Sequence, residues 1–257
     1  MSILKEIIIN KRKEVDYLQQ NNPISLIENS EYFTRDIISL KKSLIEKSGI
    51  ISEFKRKSPS KPDINSGARV FPIARGYELS NSSGISILTD SKYFGGSNED
   101  ITSVRNDINI PILRKDFIID EYQIIESKSL GADVILLIAA CLSKKDVINL
   151  SHFAKSFNLQ VILEIHSEKE LSYLCDSIDI VGVNNRNLKK FETDINNSVN
   201  LAGMIPSSFL KISESGISTS KEIFLLKEYG YDGFLIGENF MKKKDPVSAC
   251  NDFIKKL

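Results

Sequence analysis

The chain has 257 residues, 41% hydrophobic and 26% charged, an ordinary composition for a soluble globular protein and enough length for one large α/β domain. Lys+Arg and Asp+Glu each total 34, so the net charge is zero and no global basic field exists to gather nucleic acid or an acidic membrane. Lys5, Glu6, Lys11, Arg12 and Lys13 crowd the start, which argues against a signal peptide, and no apolar run could span a bilayer.

The first elements are helical. Ile3, Ile7, Ile8, Val15 and Leu18 recur at helical spacing, which predicts an amphipathic helix over Leu4–Gln19. Pro23 follows, and Leu40–Glu46 reads as a second short helix ahead of Gly49. Residues 1–48 are too short to bury a core of their own, so they are expected to lie as an extension on one domain spanning 1–257. Strand–helix alternation then begins. The expected strands are Ile50–Phe54, Ile85–Thr89, Ile110–Leu113, Val134–Ala139, Gln160–Ile165, Ile180–Val183, Leu210–Ser213 and Gly233–Ile236. Between and after them lie helical patterns at Ile73–Ser80, Asn98–Asn106, Glu121–Leu130, Lys144–Phe157, Glu168–Cys175, Asn196–Ala202, Thr219–Tyr229 and Pro246–Lys256. Asp120, Ser143, Ser167, Ser218 and Asp245 stand at N-cap positions, with Pro246 just inside its helix. Gly84, Gly131 and Gly230 are placed to end helices through a left-handed turn.

Eight short apolar strands with helical crossovers imply a parallel sheet. An open doubly wound sheet is the alternative, but no G-x-G-x-x-G follows the first strand. The expectation is a (β/α)8 barrel, α/β in class, with an N-terminal helical extension.

Chemistry in such barrels gathers at the C-terminal strand ends. The first is Ile50–Pro62, reading I-I-S-E-F-K-R-K-S-P-S-K-P. Alternation puts Ile51, Glu53 and Lys55 on one face and Ser52, Phe54 and Arg56 on the other. The later ends carry Thr89-Asp90, Arg114-Lys115-Asp116, Glu164, Asn184 and Arg186, Ser213-Glu214-Ser215-Gly216, and Gly237-Glu238. Polar groups crowd these ends while strand middles are Ile, Leu and Val, which points to a catalytic top face. Gly216 and Gly237 would let backbone N–H groups approach an anion at strands seven and eight, where barrels commonly bind phosphate. Lys55 and Lys115 could serve as general acids, anion ligands or Schiff-base nucleophiles, with Glu53 and Glu164 as bases or electrostatic partners. His166 shares a face with Glu164, but its place in H-S-E-K-E favours a capping or structural role. Phe94 and Phe117 could floor an aromatic pocket. Cys141, Cys175 and Cys250 are odd in number and scattered, which suits reduced thiols in a cytoplasm. With only two histidines and no C-x-x-C, no metal site is expected.

The motifs resemble those of the indole-3-glycerol phosphate synthase family: I-I-S-E-F-K-R-K-S-P-S (Ile50–Ser60), S-I-L-T-D-S-K-Y-F-G-G-S (Ser86–Ser97), P-I-L-R-K-D-F-I-I (Pro111–Ile119), G-A-D-V-I-L-L-I (Gly131–Ile138), L-E-I-H (Leu163–His166), V-N-N-R-N-L (Val183–Leu188), I-S-E-S-G-I (Ile212–Ile217) and F-L-I-G-E (Phe234–Glu238). They run in order from the first strand to the last. The resemblance implies ring closure, decarboxylation and dehydration of 1-(2-carboxyphenylamino)-1-deoxyribulose 5-phosphate, in tryptophan biosynthesis. It implies no cofactor or metal and a small phosphorylated substrate; the zero net charge already argues against a nucleic acid or membrane partner, the scattered cysteines suit a cytoplasmic protein, and a monomer is expected. Carried over by motif, Lys115 would be the general acid for ring closure. Glu164, Glu53 and Lys55 would share later proton transfers, and Asn184 would orient the substrate. Ser58 and Arg186 would contact substrate; Phe94, Phe117 and Leu136 would hold the anthranilate ring; Ser215, Gly216, Gly237 and Glu238 would hold the phosphate. Two departures stand out. Pro62 replaces a common Gly after Lys61, and Glu238 stands where a small Ser is often found, so its carboxylate would have to turn from a phosphate. A sister isomerase of the pathway uses a Cys at the first strand end, where this chain has Glu53-Phe54-Lys55. A catalytically silent barrel would have eroded strand ends, which this chain lacks.

Overall fold

The computed structural model describes residues 2–186 and 192–257. Eight parallel strands hydrogen-bond in chain order and close between the first and last. The elements are α1 (Ile3–Asn21), α2 (Ile24–Ile27), α3 (Leu40–Glu46), β1 (Ile50–Phe54), α4 (Val70–Leu79), β2 (Gly84–Leu88), α5 (Ser91–Phe94), α6 (Glu99–Arg105), β3 (Ile112–Lys115), α7 (Glu121–Leu130), β4 (Val134–Ile138), α8 (Lys144–Ser156), β5 (Gln160–Ile165), β6 (Ile180–Asn184), α9 (Asn196–Ala202), β7 (Leu210–Glu214), α10 (Ser220–Glu228), β8 (Gly233–Ile236), α11 (Glu238–Met241) and α12 (Pro246–Ile254). This is the expected (β/α)8 barrel with helices ahead of its first strand.

Strand alternation separates two apolar layers. Ile51, Leu113, Leu136, Ile162, Ile212 and Leu235 fill the barrel interior. Their neighbours Ile50, Phe54, Ile112, Leu137, Leu163 and Phe234 face the helices. From below, Leu40 and Leu44 of α3 join the interior cluster and plug the barrel. Burying two leucines there is worth about 1.5–3 kcal/mol apiece, which explains why α3 holds its place before β1.

Several expectations need correction. The third strand runs two residues later than Ile110–Leu113 and includes the charged Arg114-Lys115. Arg114 faces the helix layer, buried, with bonds to Glu126 at 2.6 Å and Ser127 at 3.0 Å. A charge run was therefore strand because buried partners satisfy it. Glu168–Cys175 is a 3₁₀ segment over Glu168–Tyr173, not an α-helix. Thr219 rather than Ser218 caps α10, in a reciprocal capping box with Glu222. Gly131 and Gly230 take the left-handed turn, at φ of +89° and +78°. Gly84 does not: it begins β2, where a Cβ would sit 3.0 Å from the Leu40 side chain, and Asn81 makes the left-handed turn instead.

Candidate active site

Where the inward faces of the strands reach the top, apolar residues give way to charge. Lys115 at the end of β3 donates to Glu164 of β5 at 3.0 Å and to Glu214 of β7 at 2.5 Å. Asn184, ending β6, donates to the other Glu164 oxygen at 3.1 Å. Across the barrel, Lys55 pairs with Glu53 at 2.7 Å. Gly182 and Gly237 make room for these groups. A Cβ at Gly182 would lie 2.3 Å from Glu214 Oε1, and one at Gly237 would lie 2.4 Å from Glu53 Oε1. Gly237 thus serves its neighbour's carboxylate as well as the backbone turn.

The electrostatics follow from one buried ammonium between two carboxylates. Burial alone would lower the Lys115 pKa, but Glu214 and Glu164 outweigh it, so it is raised and the lysine stays charged. Burial pushes the Glu164 carboxyl up, yet Lys115, then His166 and Asn184, bring it below the ordinary glutamate value. Glu214 goes the other way: burial, with Glu164 adding to it against the pull of Lys115, lifts its pKa to about 7. Two carboxylates pushed apart in this way make the cluster a candidate site of proton transfer.

All the sequence-derived site residues line one cavity of about 370 Å³ at the top of the barrel. Phe94 and Phe117 face each other there at 6.1 Å between ring centres, tilted by 41°. Leu136 lies below them, and Ile3, Leu4 and Ile7 of α1 complete the apolar wall. On the opposite side the turn Ser215-Gly216 has both residues at positive φ, +69° and +80°. A non-glycine residue held there is strained, and Asn185 pins it, donating to Ser215 O at 3.0 Å and Ser213 Oγ at 2.9 Å. Glu238 turns its carboxylate to Lys61, with Arg186 at 3.8 Å. Arg186 also donates to Ser60 at 2.8 Å, tying the loop after β1 to the end of β6. Ser58 closes a turn with Lys61, its N–H donating to Lys61 O at 2.8 Å. Asn187 and Leu188, the end of the sixth-strand motif, lie outside the described residues.

Some of the machinery escaped sequence reasoning. Glu214 stood among the strand-end polar groups, but nothing in the sequence said that it shares Lys115 with Glu164. Asn185 stands inside V-N-N-R-N-L, but nothing there told its role, which depends on a turn thirty residues away. The contribution of α1 to the cavity was likewise invisible, because helical periodicity does not say what a helix covers. Conversely, Asp90 and Asp116, both at strand ends, are engaged by Lys11 of α1 at 3.1 and 2.9 Å. His166 is no cap: Ser167 and Glu170 form the capping box after β5.

A family model described as Indole-3-glycerol phosphate synthase matches residues 4–253. A protein of that name from Bacteroides thetaiotaomicron is 46% identical over 99% of this chain and 98% of its own length. One from Campylobacter fetus is 42% identical over 97% of this chain and 98% of its own. Among solved structures, 3-hexulose-6-phosphate synthase from Salmonella typhimurium superposes with a TM-score of 0.63 at 11% identity, covering 80% of this chain and 97% of that one. Tryptophan synthase subunit alpha from Legionella pneumophila gives 0.59 at 14% identity, over 84% and 95%. At such identities these two bear on the fold alone, and both are matched by the closed eight-strand barrel. With a family model across nearly the whole chain and full-length relatives of one name, the chain belongs to the indole-3-glycerol phosphate synthase family, carboxy-lyases of tryptophan biosynthesis.

Proposed function

We propose that this chain closes 1-(2-carboxyphenylamino)-1-deoxyribulose 5-phosphate to indole-3-glycerol phosphate, with release of carbon dioxide and water. The observation that carries the reading is Lys115 held charged between Glu164 and Glu214, beside an aromatic wall at one end of the cavity. The anthranilate ring lies against Phe94, Phe117 and Leu136. The ketone oxygen meets the Lys115 ammonium, which stabilises negative charge as the ring carbon attacks and then supplies the proton. A lysine this basic parts with a proton poorly. Protonation of Glu214 near neutrality removes half of its anionic hold and makes the transfer easier. Loss of carbon dioxide restores the ring, and Glu164, Glu53 and Lys55 share the proton transfers of dehydration. Asn184 keeps Glu164 and the substrate in register. Ser58 and Arg186 contact substrate, and the phosphate is held by Ser215, Gly216, Gly237 and the backbone of Glu238.

The same reading makes residues 1–257 one folding unit, with 1–48 as an extension, and assigns a cytoplasmic monomer without cofactor or metal. Cys141, Cys175 and Cys250 are unpaired, in keeping with a reducing compartment. Among the described residues no helix is long and apolar enough to cross a membrane.

The chain contains no Trp, so no protein indole masks the emission of product indole. Purified protein mixed with the substrate should show a rise in indole emission. Lys115→Met should cut turnover at least about a hundredfold, the scale of losing one transition-state donor, with an unchanged circular dichroism spectrum. Near-normal turnover in that variant would remove Lys115 from the reaction. Sedimentation of the same sample tests the monomer.

A further inference from the structure

Glu164 has one further close neighbour, His166. Strand alternation turns the His166 ring to the same side of β5 as Glu164, with Nε2 3.6 Å from Glu164 Oε1, just outside bonding distance. Both ring nitrogens are buried, and neither has a hydrogen-bond partner among the described residues. Buried polar atoms left this way are rare and call for a reason. Capping supplies none, because Ser167 and Glu170 form the box, and only the His166 backbone N–H takes part, donating to Glu170 at 2.5 Å. Packing of a polar ring against a charged group supplies none either, since an apolar residue would fill the space without leaving two nitrogens unpaired.

We propose that His166 is a positioning residue whose Nε2–H closes on Glu164 Oε1 and keeps that carboxylate ionised. The inference rests on the acid–base role given to Glu164 above. The groups around the ring agree with it. Lys115 of β3 holds the other oxygen, Oε2, and Asn184 of β6 donates to Oε1. Glu170 is engaged by the backbone and Asn197 of α9 donates to the His166 carbonyl at 3.3 Å, so neither needs the ring. Cys141, beyond β4, keeps its thiol proton because burial, with Glu164 and Glu170 nearby, raises its pKa. Glu164 is therefore the acceptor left for the ring.

The test compares the pH dependence of indole formation by the full chain and by His166→Phe and His166→Gln. Losing a donor to the ionised form raises a carboxyl pKa, so the acid limb of kcat in His166→Phe should move up by about half to one pH unit. The Gln variant, which keeps an N–H, should return it, with KM little changed in both. A coincident acid limb in His166→Phe, or an equal shift in both variants, overturns the proposal. A second measurement needs no turnover and no variant at His166. The chain has only two histidines, and His152 is exposed on α8, so ring ¹⁵N shifts are readily assigned. The neutral His166 ring should carry its proton on Nε2 and lose that preference in Glu164→Gln; an Nδ1–H ring overturns the proposal. Full turnover in Glu164→Gln sinks the acid–base reading itself, whereas its loss beside an unshifted His166→Phe profile sinks this inference alone.

Discussion

At the scale of single residues, the contest between Glu164 and Glu214 for one ammonium governs the site. Both are buried glutamates on inward strand positions, yet Glu164 also accepts from Asn184, while Glu214 Oε1 has no partner among the described residues. That difference leaves Glu164 ionised and lifts Glu214 to about 7. Glu214→Gln should therefore remove a pH-dependent step centred near neutrality from the kcat profile and leave the Glu164 limb in place. A profile of wild-type shape would show that Glu214 does not titrate during turnover. Glu53, Lys55, Lys115, Glu164 and Asn184 were readable in the sequence because strand ends are where a barrel turns polar. Glu214 was visible but not distinguishable from its neighbours, since its pKa depends on how deeply β7 buries it.

At the scale of elements, α1 is joined to the top of the barrel rather than merely resting on it. Lys11 sits on its buried face at 1% exposure and meets Asp90, Asp116 and Glu14. Asp90 caps α5, whose last residue is Phe94, and Asp116 lies between Lys115 and Phe117. The same helix delivers Ile3, Leu4 and Ile7 to the cavity wall. Removing Lys11 leaves Asp90 without its cation and Asp116 with Arg114 alone, 3.6 Å away, a cost of about 3–5 kcal/mol. Lys11→Met should lower the denaturation midpoint accordingly and raise KM by loosening the aromatic wall; a stability loss below about 1 kcal/mol would mean that the aspartates find other partners. The periodicity of α1 was read correctly, but Lys11 was counted among its charges. A lysine on a helix is normally solvated, and only the partner surface turns this one inward.

For the whole molecule, the buried carboxylates set how stability varies with pH. Burial opposes ionisation of Asp116, but Lys11 and Arg114 hold its pKa below the ordinary value, and Glu164 is lowered as well. Their contribution is complete above about pH 5 and fades as pH falls through the lowered native values. Glu214 acts in reverse: the folded state holds its proton up to about 7, so its ionisation draws stability down between about pH 4.5 and 7. The thermal midpoint should rise from pH 3 to 5 and decline from 5 to 8, and Glu214→Gln should flatten the decline. An unchanged decline in that variant would assign it to other groups. The sequence by itself determined the strand count, the barrel and the polar top face, because short apolar runs between helical patterns and the charges at their ends are local patterns set by neighbouring residues, and the resemblance of its motifs pointed to the family. Only the tertiary structure decided which carboxylate shares Lys115, which charged residues are buried, what α1 covers and how Asn185 holds Ser215. Those depend on distance and burial between residues far apart in the chain, and no local pattern carries either.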